Sequence, residues 1–166
     1  KDTSGAILVA KTDAVHRKLQ AQIQSRVARR LYWAWVAGAP RDTTFGIRTH
    51  IGRHPRDRKR RAVVSSFAPD AREAVTHCRL LLREQGLSLL ECRLETGRTH
   101  QIRVHLAHVR LPLLGDMTYG VAHPIVARQA LHARTISFVH PETSEHITLH
   151  APVPPDLEVL PLPEGG

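Results

Sequence analysis

The sequence predicts an α+β domain built on a mixed, mostly antiparallel sheet flanked by helices. Three observations carry that expectation. Strand-like and helix-like patterns are interspersed, without the regular strand–helix alternation of a parallel sheet. Two strand-like runs, 73–84 and 87–95, are joined around Gln85-Gly86 as an antiparallel hairpin would be. The length, 166 residues, suits one domain with one sizeable core.

The elements follow in order. Residues 4–10 (SGAILVA) form a short apolar run ahead of Lys11-Thr12-Asp13 and read as a buried strand. From Asp13 to about Arg30 a helix is expected, because Val15, Leu19, Ile23 and Val27 step at four residues. Thr12 or Asp13 can cap it. Residues 32–38 (YWAWVAG) alternate and carry aromatics, which predicts a strand ended by Gly38 and Pro40. The next segment is mixed, with turns expected at Gly46, Gly52 and Pro55, and Arg53 to Arg61 is a dense cationic loop. A strand over 61–67 and the hairpin follow. Thr99 is the expected N-cap of a short helix from His100 to about His108, with Ile102, Leu106 and Val109 inward and Gln101, His105 and His108 on a neighbouring face. A Pro/Gly-punctuated loop covers 111–120. Residues 127–140 read as a short helix and then a strand. Residues 145–154 are a last strand before a proline-rich tail.

Charge narrows the function. Lys plus Arg is 24 against 15 for Asp plus Glu, a formal charge of +9, and the cations are mostly arginine. Arginine's planar fork of donors suits phosphate, so nucleic acid is the first candidate partner. The loop RHPRDRKRR holds Arg53, Arg56, Arg58, Lys59, Arg60 and Arg61 with the single acid Asp57, a density of like charge that an anionic partner relieves. Pro55 and the flanking turns argue for a structured protrusion. Two cysteines, Cys78 and Cys92, form no metal or redox motif and fit a reduced, cytoplasmic compartment. No apolar run approaches ~18 residues, so no membrane span is expected, and the start has no signal-peptide pattern. Twelve histidines are scattered, and no acid or cysteine adjoins His105 and His108, so no metal is expected. Neither a G-x-S-x-G elbow nor a phosphate loop is present. The stretch TGRTHQIRVHLAH, Thr96 to His108, is unusually dense in hydrogen-bonding side chains. Arg98, just before the expected helix, could hold a carboxylate or phosphate at its positive end.

Residues 94–120, LETGRTHQIRVHLAHVRLPLLGDMTYG, closely resemble the signature of the RluA-type pseudouridine synthases. The likeness extends along the chain through DTSGAILVAKT, LYWAWVAG, IGRHPRDRKRRAVV, RQALHA and FVHPET. The resemblance implies a pseudouridine synthase-like fold, with residues 1–160 as the C-terminal portion of a catalytic domain and 161–166 as a tail. It implies conversion of uridine to pseudouridine in structured RNA, ribosomal or transfer, without cofactor or metal. An aspartate attacks the flipped nucleotide at the sugar or the base, with a glycal route favoured, and the freed base is rejoined through carbon 5. It maps the base-stacking tyrosine to Tyr32 and the arginine that pairs with the aspartate to Arg98. His100, Gln101 and Arg103, with the cationic loop, are the expected RNA-binding residues. A monomer is expected.

Two departures stand out. The family pattern R-L-D-x-x-T-S-G aligns its last three residues with Thr3-Ser4-Gly5, so the nucleophile belongs immediately before Lys1. Asp2 is no substitute, being two residues on and ~6.6 Å along an extended segment. The chain also opens on Lys1, its only methionine being Met117, so a trimmed, processed or partial chain with an incomplete sheet edge is expected. The alternative is a relative that has lost catalysis and kept RNA binding, for example on the ribosome. Finally, Arg110 stands where relatives commonly have glycine.

Overall fold

The structure, a computed structural model, describes residues 2–57 and 59–163. The elements in chain order are β1 (Ser4–Gly5), α1 (Asp13–Gln24), β2 (Arg29–Ala37), β3 (Thr44–Arg53), β4 (Arg61–Val64), β5 (Arg72–Glu84), β6 (Leu87–Leu94), α2 (Gln101–His108), β7 (Leu131–Val139), β8 (His146–His150) and α3 (Pro155–Glu158). One eight-stranded sheet runs β1-β7-β2-β6-β5-β3-β4, with β8 also paired to β7. Only β1 runs parallel to its partner. The α+β reading with a mostly antiparallel sheet therefore holds.

The two-residue period of β2 decides the core. Tyr32, Ala34 and Val36 face one side with Leu90, Cys92, Ile102 and Leu106. Trp33 and Trp35 face the other, against Leu89, Leu114, Leu157 and Leu160. Helix α2 covers the first face and the C-terminal segment the second, which is why β2 is apolar at successive positions. Among the described residues no helix is long and apolar enough to cross a membrane.

Several expectations are corrected. The strand predicted over residues 4–10 ends at Gly5; Ala6, Leu8 and Ala10 still pack inward, but Ile7 and Val9 are 85% and 74% exposed. Helix α1 stops at Gln24, because Arg26 is left-handed (φ 63°) and turns the chain into β2. Only its first two stripe residues, Val15 and Leu19, join the core, since a strict four-residue step drifts around a 3.6-residue helix. Thr12 does cap it, accepting from Val15 N at 3.3 Å. Gly46 and Gly52 lie inside β3 rather than at turns. The strand predicted over 61–67 ends at Val64. No helix forms at 127–130; that stretch bends at Arg128 and leads irregularly into β7. The last strand ends at His150. The chain beyond it stays in the fold, with Trp35 Nε1 donating to the Pro161 carbonyl at 3.0 Å and Leu162 packed beneath.

Candidate functional site

Thr96 to His108 uses most of its donors internally. Val75 N donates to Thr96 Oγ1 at 2.9 Å, and Thr96 Oγ1 donates to Gln101 Oε1 at 2.8 Å. Gln101 Oε1 also accepts from Arg98 N at 2.9 Å, while its Nε2 donates to the Val75 carbonyl and Thr76 Oγ1, both at 3.0 Å. Gln101 is 2% exposed and every hydrogen-bonding position of its amide is filled. It is part of a wall, with no amide position left to donate to or accept from a ligand. Thr99 is not the N-cap. His100 holds that position at φ 57° without a side-chain cap, and the Gln101 amide closes the turn by taking Arg98 N.

His105 lies fully buried between Thr76 Oγ1 (2.8 Å from Nδ1) and Thr49 Oγ1 (3.0 Å from Nε2). Burial, with a smaller contribution from His108, lowers its pKa to about 4, so it is a neutral strut joining α2 to β3 and β5. Arg103 forks onto Asp116 at 2.6 and 2.7 Å. Burial pushes the Asp116 carboxyl up, but the bonds from Arg103 and from the backbone of Tyr119 and Thr118 prevail and hold it below its ordinary value. Arg103 is therefore committed to an ion pair with a fully buried carboxylate.

The side chains that remain open converge. A cavity of about 200 Å³ is lined by Thr3, Tyr32, Leu94, Arg98, His100, Gln101, Ile102, Arg103 and Leu131. Arg98 Nε donates to the Glu73 carbonyl at 2.9 Å, and its Nη atoms have no partner among the described residues. Tyr32 reaches the cavity from β2 where the pairing with β7 shifts between Leu31 and Trp33, a bulge of the kind that re-aims side chains. His100 stands at the rim, its Nδ1 3.0 Å from Tyr119 Oη; burial lowers its pKa, aided by the Arg103 charge. A larger cleft of about 430 Å³ on the opposite sheet face holds His77, Arg79, Glu91 and Arg93. Its charges are largely paired, Arg79 with Glu91 at 3.0 Å and His77 with Glu95 at 2.8 Å, so it is the weaker candidate.

The cationic loop is the tip of the β3–β4 hairpin, closed where Arg53 pairs with Arg61 and His54 N donates to the Arg60 carbonyl at 3.1 Å. Its cations are not equivalent. Arg53, Arg56 and Lys59 are exposed. Arg60 lies 5.3 Å over the Tyr119 ring and donates to the Thr118 carbonyl. Arg61 is half-buried, and its backbone N donates to Tyr119 Oη at 2.8 Å. Arg60 and Arg61 thus root the hairpin. Arg58 lies outside the described residues. Tyr119 and Asp116 were not anticipated, although both sit in the quoted family signature. Nor were Arg128 and His132, whose contacts cross more than a hundred residues.

The fold defines a class: it is that of pseudouridylate synthase domains. It is similar to the human RNA pseudouridylate synthase domain containing 1, with a TM-score of 0.78 at 26% identity, covering 95% of this chain and 69% of that one. Residues 1–108 match the RNA pseudouridylate synthase family, and the chain belongs to that family. It is 46% identical over 163 residues to an RNA pseudouridine synthase of Synechocystis sp., covering 96% of this chain and 50% of the relative. It is also 46% identical over 175 residues to the ribosomal large subunit pseudouridine synthase D of Xanthomonas campestris, covering 96% of this chain and 51% of the relative. The chain spans about half the length of the curated relatives it matches.

Proposed function

We propose that the protein carrying this chain is an RluA-type pseudouridine synthase that isomerises uridine in structured RNA, with ribosomal RNA the favoured substrate. One observation carries the reading: Tyr32, Arg98 and Thr3, far apart in sequence, line one cavity. Thr3 lies three residues beyond the position where the resemblance expects the nucleophilic aspartate. The likeness to a ribosomal large subunit synthase supports the choice of RNA.

In this reading a uridine leaves its stack and enters the cavity, where Tyr32 lies against the base. The free Nη atoms of Arg98 pair with the aspartate and hold it ionised and aimed. The N1–C1′ bond breaks, the base turns, and a C5–C1′ bond forms. The C5 proton leaves and N1 gains one, so the change is an isomerisation with no net oxidation. Exposed Arg53, Arg56 and Lys59 meet phosphates beside the site.

The test is intact mass of the purified full-length protein beside tritium release from RNA labelled at uridine carbon 5. Release by a protein larger than 166 residues that carries the upstream aspartate is the expected result. RNA binding without release, from a protein that has that aspartate, overturns the catalytic reading and leaves an RNA-binding protein.

A further inference from the structure

The segment entering β1 is held by groups from a distant part of the chain. Arg128 donates through Nη1 to the Asp2 carbonyl at 3.1 Å and through Nη2 to Ser4 Oγ at 3.2 Å. Gln129 Nε2 donates to Thr3 Oγ1 at 3.4 Å. Arg128 is itself fixed by a forked pair to Asp156 of α3, at 2.6 and 2.9 Å. Ser4 Oγ lies 3.0 Å from Nδ1 of the buried His132, whose Nε2 lies 3.2 Å from the Ala151 carbonyl.

Chemistry orders this network. A carbonyl can only accept, so His132 carries its proton on Nε2. Nδ1 is then bare and accepts the Ser4 hydroxyl proton, leaving the Ser4 oxygen lone pairs for Arg128. Each hydrogen bond has one direction, so the Ser4 rotamer and the His132 tautomer fix one another. Gly5 completes the restraint. Its φ is +110°, and a Cβ there would sit 2.3 Å from the Ala133 carbonyl oxygen. The parallel pairing of β1 covers only Ser4 and Gly5. A two-residue strand is a weak anchor by itself, yet side-chain bonds hold Asp2, Thr3 and Ser4 in succession, beside the residue that lines the cavity.

We propose that Arg128 and His132 are positioning residues that fix residues 2–4, which lead from the expected nucleophile position into β1, beside the Tyr32–Arg98 cavity. This rests on the reading above, since only a nucleophile just before Lys1 needs such aim. Arg128 ties that strand to α3, so the C-terminal helix also sets the geometry of the site.

The test uses the full-length protein with the tritium assay, rates being expressed per folded molecule from a calorimetric check. Arg128→Gln is expected to lower kcat about 100-fold, the effect of an ångström-scale misplacement, with KM and RNA affinity unchanged. Arg128→Lys is expected to recover part of that loss, because one donor returns. Ser4→Ala removes a single hydroxyl and serves if Arg128→Gln does not fold; it should lower kcat alone. Amide exchange at Ala6, whose N donates to the Ala133 carbonyl at 2.9 Å, should quicken in both variants. An unchanged kcat, or a loss confined to KM, overturns the positioning role. A full-length wild type without tritium release overturns the proposed function instead, and unchanged Ala6 exchange in the variants then refutes the clamp separately.

Discussion

Arg98 and His105 are neighbours in sequence with opposite tasks, and each carries a prediction. Arg98 keeps its Nη atoms open beside the cavity. In the full-length protein Arg98→Ala should abolish tritium release while leaving RNA affinity near wild type, read by filter binding beside the rate assay. An unchanged rate would sink the carboxylate-pairing role. His105 is held neutral, with its pKa lowered from 6.5 to about 4. Between those values the unfolded chain binds a proton that the folded chain refuses. Stability is therefore full above about pH 6.5 and falls as pH drops toward 4, by on the order of 3 kcal/mol from this residue. Urea unfolding across that window should show the slope, and His105→Gln should flatten it. Buried His132 also has a lowered pKa, chiefly by desolvation, and adds to the slope with the same sign. The sequence placed Arg98 and His105 in one donor-rich motif. It could not separate them, because the partners that distinguish them lie on β3 and β5.

At the scale of elements, the end of α2 sets Arg110 in a conformation that favours glycine. Leu111 N donates to the Leu106 carbonyl at 2.9 Å and Arg110 N to the Ala107 carbonyl at 3.1 Å, a Schellman closure with Leu106 and Leu111 in one core cluster. Arg110 is therefore left-handed, at φ 62°. Arg110→Gly should raise stability by about 1 kcal/mol, measured by chemical denaturation. The β3–β4 hairpin carries the next prediction. Neutralising exposed Arg53, Arg56 and Lys59 together should weaken RNA binding and reduce the slope of log affinity against log salt by about 2–3. The same slope in the triple variant would make the hairpin tip a bystander. Arg60→Gln should instead cost about 1 kcal/mol of stability, since Arg60 stacks on Tyr119 at the hairpin root. From sequence these cations formed one undifferentiated run. Only the docking of Tyr119 divides them.

For the whole molecule, the segment after the last strand completes the second core: Leu157 is fully buried, Leu160 nearly so, and both pack with the two tryptophans of β2. Leu157→Ala should destabilise the domain by about 2–5 kcal/mol in thermal or urea unfolding, a cost no exposed tail residue would show. The same segment supplies Asp156, which holds Arg128. Arg128 thus joins Asp156 to Asp2 and Ser4, which flank the cavity-lining Thr3.

Local pattern was enough for much of this. The hairpin over 73–95, the alternation of β2, the Thr12 cap and the mixed, mostly antiparallel sheet all follow from propensities and periods that act within a few residues. Motif order along the chain pointed to the family. The sequence also placed Tyr32 and Arg98 among the candidates, yet not their meeting in a cavity. Tertiary structure alone decided which donors are free. Gln101, Arg103 and His105 have the composition of a binding surface, but burial strips them of water, so each takes a partner brought near by the fold. Such pairing joins residues 13 to 29 positions apart, and no periodicity read along a single chain encodes it.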